Sequence, residues 1–170
     1  MQTDDSSTLR ASSAPEPRHA KAGEAGRLYF EDLHVGRRFK SVARRLDADA
    51  IKTFAREFDP QPFHTDEATA QDTFFAGLAA SGWHTAAVSM RLLVESLPIA
   101  GGLIGAGVEL SWPIPTRPGD TLTVESEVIE MRTSRSRPER GLVRMHSVTR
   151  NQNGEVVQDL TSTMVVPRRG

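Results

Sequence analysis

One long apolar segment, Trp83 to Leu97, lies ahead of a C-terminal half that alternates with a period of two, and this pairing narrows the folds open to the chain. Ala86, Ala87, Met90, Leu93, Val94 and Leu97 form a wide stripe at helical spacing, broken by His84, Arg91 and Glu95. A helix this apolar is expected to be buried around most of its circumference. After it, Gly107 to Trp112 reads as a strand ended by Pro113 and Pro115, and Pro118-Gly119-Asp120 marks a turn. Leu122, Val124 and Val128 then alternate with Thr123, Glu125 and Glu127. Gly141 to Arg150 repeats the pattern, Asn153-Gly154 signals a hairpin, and a last strand runs from about Val156 to Val166. An antiparallel sheet must bury one face, and the apolar helix is the available cover. The expected class is α+β, an antiparallel sheet wrapped around a long central helix.

The N-terminal half supplies the remaining pieces. Residues 1 to about 26 are rich in Ser, Ala, Pro and charge and read as a disordered tail, leaving 27–170 as a single domain. No apolar stretch follows Met1, so a signal peptide is not expected. A first strand is expected from Phe39 through Val42 to Leu46. Asp47 can cap a helix in which Ile51, Phe54 and Phe58 recur at helical spacing. Pro60 stops that helix at Phe58-Asp59. Thr65 or Asp66 opens a second short helix through Ala68, Ala70 and Phe74, and a small-residue stretch from Ala76 leads to Gly82.

Composition excludes several functions. There is no cysteine, which removes disulfides, thiolate nucleophiles and zinc–thiolate sites and fits a cytoplasmic protein. Net charge is -1 with dispersed arginine, so no nucleic-acid partner is expected. No apolar run reaches membrane-spanning length.

The chemistry-bearing run is Asp59-Pro60-Gln61-Pro62-Phe63-His64. Each proline fixes its own φ and disfavours helix in the residue before it. The segment therefore reads as a stiff, non-helical connector with a carboxylate at one end and an imidazole at the other. Such a pair can hold, deprotonate and deliver a water molecule. Alone, Asp59 reads as a turn residue and His64 as a structural histidine. Together, ahead of the small-residue stretch and the apolar helix, they read as a site.

The run Phe54 to Asp66 resembles the MaoC-like dehydratases and (R)-specific enoyl-CoA hydratases, whose pattern is Asp, four residues, then His, with Pro two places before the His. Ala80-Ser81-Gly82 resembles the family's start of the central helix, and Glu109 to Asp120 its following strand and turn. The resemblance covers Tyr29 to Val166. Departures are Phe58 where Gly is frequent, Gln61 where Asn is common, and Ser81 where His is frequent. The resemblance implies a hotdog fold and reversible hydration of a trans-2-enoyl thioester. It implies Asp59 and His64 as the water-activating pair and the Gly82 N–H, with Ser81, at the thioester carbonyl. It implies coenzyme A as part of the substrate and no separate cofactor. Glycine at 82 is expected to let the thioester approach closely.

His84 and Ser89 are further candidates for the site, His84 equally for packing. A metal site from His64, Asp66 and His84 lacks recognised ligand spacing, so none is expected. Arg132, Arg135, Arg137 and Arg140 fall on an expected hairpin loop, either solvated or facing coenzyme A phosphates. Open sheet edges point to a homodimer or higher homo-oligomer. Two other readings stand beside the hydro-lyase: an acyl-CoA thioesterase, and a non-catalytic acyl-thioester-binding subunit.

Overall fold

The computed structural model describes residues 26–170; the expected N-terminal tail, apart from Gly26, lies outside the described residues. The described chain runs a 3₁₀ turn (Phe30–Asp32), β1 (Arg38–Lys40), β2 (Arg44–Arg45), α1 (Ala48–Phe58), α2 (Pro62–Thr65), α3 (Glu67–Gln71), α4 (Gly82–Ser96), β3 (Ile104–Ser111), β4 (Thr121–Thr133), β5 (Arg140–Arg150) and β6 (Val156–Pro167). All strand pairs are antiparallel, in the order β1-β4-β5-β6-β3, with β2 also on β4.

The period-two pattern explains the layering. Leu122, Val124 and Val128 of β4, Val143 and Met145 of β5, and Met164 and Val166 of β6 all point to one face and are buried. Val88, Leu92 and Leu93 of α4 complete that core. This is the hotdog arrangement expected from the sequence.

Four expectations are corrected. The first strand divides into β1 and β2: the Ser41 N–H still donates to the Val124 carbonyl, but the Ser41 hydroxyl takes the Val124 N–H in place of a strand carbonyl and donates to the Val42 carbonyl. The second half of the proline connector is helical, since Pro62 occupies the first turn of α2, where a missing N–H costs nothing. The short helix α3, capped by Asp66 as expected, stops at Gln71, and Phe74 is 97% exposed. Finally, α4 is buried on one side only. Trp83, Met90 and Val94 are exposed, because the sheet of one chain covers a single face of the helix. Val108 of β3 shares the core-side face with Leu110 and Leu160, yet is 66% exposed.

Candidate active site

The site forms where three chain segments meet. α1 ends at Asp59, whose N–H donates to the Ala55 carbonyl at 2.9 Å before Pro60 prevents another turn. Backbone turns through Gln61 then bring His64 round, its N–H donating to the Gln61 carbonyl at 2.9 Å. α4 begins opposite, at Ser81-Gly82.

These turns bring His64 Nε2 to 3.5 Å from Asp59 Oδ2, with the side chains 6% and 19% exposed. His64 Nδ1 donates to the Ala79 carbonyl at 2.8 Å. A carbonyl can only accept, so Nδ1 carries a proton, and in the neutral ring Nε2 offers its lone pair toward Asp59. Phe63 packs edge-on against the imidazole at 4.5 Å and Phe75 lies at 6.0 Å, so the ring sits in an aromatic cage.

Both carboxylate oxygens of Asp59 are held. Gln61 Nε2 donates to Oδ1 at 2.7 Å and the Ser81 hydroxyl to Oδ2 at 2.7 Å. Burial pushes the carboxyl up, but the hydrogen bonds from Ser81 and Gln61 outweigh it, joined by the charge of the His64 ring when that ring is protonated, and the group is held below its usual range. Asp59 is therefore ionised at neutral pH.

Ser81 has a second role. Its Oγ accepts the Trp83 N–H at 3.2 Å, capping α4. Expected at the substrate, this side chain is fully buried and committed to Asp59 and the helix end.

Asp59, His64 and Gly82 line a cavity of about 480 Å³, walled by Phe63, Phe75, Trp112 and Ile114, with Thr85 and Thr116 also at its lining. Gly82 is the first residue of α4, where a backbone N–H has no partner within the helix. The need for glycine has a cause the sequence reading did not include. A Cβ at Gly82 would meet the Trp112 indole at 2.7 Å, so Trp112 fills the space beside the glycine. The indole is fixed by its own Nε1, which donates to Gln158 at 3.0 Å.

His84 and Ser89 are not brought into the cavity. His84 stacks on Phe54 of α1 at 4.5 Å and is buried, with no hydrogen-bond partner for Nδ1 among the described residues. Burial lowers its pKa, against the nearby charge of Asp47. Ser89 pairs with Thr149 at 2.8 Å inside the core. Asp66 caps α3 through the Thr69 N–H, so His64, Asp66 and His84 do not converge. The arginine-rich hairpin lies at the far end of β4 and β5 from Asp120 and the start of β4. β4 alone spans on the order of 40 Å of extended strand between them.

Gln61 and the Ala79 carbonyl went unassigned in the sequence. Gln61 carried a signal, an amide fixed between two prolines. The Ala79 carbonyl carried none, since a backbone acceptor has no residue type.

An antiparallel sheet around one helix, with a carboxylate and an imidazole facing each other at the helix start, defines a hotdog protein with a candidate site at that helix start. The model of the MaoC like domain matches residues 32–151, and the chain belongs to that family. It is 32% identical over 143 residues to an (R)-specific enoyl-CoA hydratase of Rhodospirillum rubrum, covering 84% of this chain and 94% of that one. It is equally 32% identical over 143 residues to a 3-hydroxybutyryl-CoA dehydratase of Methylorubrum extorquens, covering 84% and 86%. A crystal structure of a MaoC-like dehydratase from Rhodospirillum rubrum shares 60% identity and superposes with a TM-score of 0.82 over 84% of this chain and 99% of that one.

Proposed function

We propose that the protein reversibly hydrates a trans-2-enoyl-CoA to the (R)-3-hydroxyacyl-CoA, with Asp59 and His64 activating the water and the Gly82 N–H holding the thioester carbonyl. The observation that carries this reading is the 3.5 Å approach of His64 Nε2 to Asp59 Oδ2 within the cavity. An ionised carboxylate and an imidazole lone pair are both acceptors, and a water between them donates one hydrogen to each. Its oxygen keeps a lone pair for the β-carbon. The proton taken from the water returns to the α-carbon, so the addition is balanced without any further reactant. Negative charge on the thioester oxygen is met by the N–H and the positive pole at the start of α4. One such donor is typically worth about 3–4 kcal/mol of barrier. The relatives named above, an (R)-specific hydratase and a dehydratase acting on CoA thioesters, support the substrate class and the product configuration.

We also infer a homodimer. β3 is the sheet edge, with its outer side unpaired among the described strands, and Ile104 and Val108 are exposed on it. Trp83, Met90 and Val94 on the outer side of α4 add further apolar surface.

The test uses purified protein with crotonyl-CoA, following loss of the conjugated thioester with thiol detection alongside. Loss of conjugation without thiol release, and an (R) product, supports the proposal. Thiol release identifies a thioesterase and overturns it. No reaction across short, long and branched enoyl-CoAs also overturns it and leaves an acyl-binding role. Asp59→Asn and His64→Ala are each expected to abolish hydration while the circular dichroism spectrum is retained.

A further inference from the structure

We propose that Arg117, which touches neither Asp59 nor His64, is a positioning residue that fixes the tautomer of His64 by clamping the loop behind it. Arg117 Nη1 donates to the carbonyls of Gly77 at 2.9 Å and Leu78 at 3.2 Å, and Nη2 donates to Phe75 at 2.6 Å. One planar cation thus gathers three carbonyls of a four-residue stretch. The next carbonyl along the chain, that of Ala79, accepts from His64 Nδ1.

That loop does not hold its shape by backbone preference. Ala76 sits at φ 48°, alone among the described non-glycine residues in having positive φ, and Gly77 sits at φ 140°. A left-handed alanine is disfavoured and persists where its surroundings impose it. Three carbonyls turned to one side also repel one another unless a cation lies between them. Arg117 supplies the cation and, together with backbone bonds from Ala76 N–H to Thr73 and from Gly77 N–H to Ala70, imposes the loop shape; it is itself anchored. Its N–H donates to Asp120 Oδ2 at 2.7 Å, and buried Asp120 accepts from Gln152 Nε2 at 3.1 Å on its other oxygen.

The consequence rests on the hydratase reading above. The peptides around Ala79 keep their own backbone bonds, Ala79 N–H to the Phe63 carbonyl at 3.1 Å and Ala80 N–H to the Thr116 carbonyl at 2.9 Å, so removing the clamp lets the loop before them relax and loosens the aim of the Ala79 carbonyl at Nδ1. The proton can then sit on Nε2, which faces Asp59, and that nitrogen loses the lone pair it needs to accept from water. The rate should fall, while substrate binding should change little, since Arg117 does not line the cavity.

The experiment compares wild type, Arg117→Met and Arg117→Lys. In Arg117→Met, kcat with crotonyl-CoA is expected to fall roughly 10- to 100-fold with KM nearly unchanged, the scale of a misplaced catalytic group. Arg117→Lys keeps the charge but not the planar fork, and is expected to lie between. The decisive readout is ¹⁵N NMR of the imidazole, assigned with His64→Ala. The wild type should show protonated Nδ1 and bare Nε2, and Arg117→Met a shift toward the other tautomer. An unchanged tautomer in the variants overturns the proposal, as does a loss of kcat and melting temperature equal in the Met and Lys variants. If the wild type does not hydrate crotonyl-CoA, the hydratase reading fails, but the tautomer comparison still decides the role of Arg117. Should Arg117→Met fail to fold, Arg117→Lys carries the same comparison.

Discussion

Replacing Ser81 with alanine removes a single oxygen that serves two structures at once. The hydroxyl donates to the ionised Asp59 at 2.7 Å and accepts the Trp83 N–H at the start of α4. A hydrogen bond to a charged group contributes about 1.5–3 kcal/mol, and a serine cap about 1 kcal/mol. The variant is therefore expected to lose about 2.5–4 kcal/mol at pH 7 by those two principles. For a domain of this size that lowers the melting temperature by roughly 5–15 °C. The two parts separate by pH. The folded state holds the Asp59 carboxyl below its usual range, so its contribution to stability is full above the unfolded carboxylate pKa of about 3.9. That contribution is lost as pH falls through the folded value. Without Ser81 the folded value rises, and the deficit at acid pH shrinks toward the cap alone. The measurement is urea unfolding of both proteins at fixed concentration, at pH 7 and near pH 3, with equal m values required. The acid limb of the hydration rate should also move to higher pH in the variant. A loss within about 0.5 kcal/mol at pH 7, the scale of a neutral surface change, would refute the double role. So would a loss that does not change with pH.

Other outcomes follow from the geometry. Gly82→Ala places a Cβ 2.7 Å from the Trp112 ring and should destabilise by about 1–3 kcal/mol, as overpacking does; Trp112→Ala in the same chain should return part of it, measured by thermal melting. Val108→Arg puts a charge on the exposed edge strand and should convert the proposed dimer to a monomer in light scattering. Asp59→Asn keeps the shape of the side chain but loses its charge, and hydration should fall by at least about 100-fold in steady-state kinetics.

The sheet and the central helix were legible because burial of one face writes a period of two or of 3.6 into the residues, as in Leu122-Val124 and Leu93-Leu97. The candidate pair was legible because Asp59 and His64 carry their chemistry in their side chains. The helical turn at Pro62 was missed because proline blocks a helix interior yet suits its first turn, and spacing alone does not separate the two. The exposed side of α4 was missed because Met90 and Val94 have the same composition whether sheet or another surface covers them. The Ala79 acceptor and the Arg117 clamp depend on which way carbonyls point, and that is fixed by backbone angles at Ala76 and Gly77.

The cavity lies between two helix ends of opposite kind, the last turn of α1 at Asp59 and the first turn of α4 at Gly82. Aligned peptide dipoles leave roughly half a negative charge at one and half a positive charge at the other. In the proposed reaction, a conjugated thioester lying in this gap, oxygen toward α4 and alkene toward Asp59, feels a field along its own π-system. Electrons are drawn toward the carbonyl and the β-carbon is left electron-poor before any bond forms, so the fold itself polarises the alkene in the direction that water must attack.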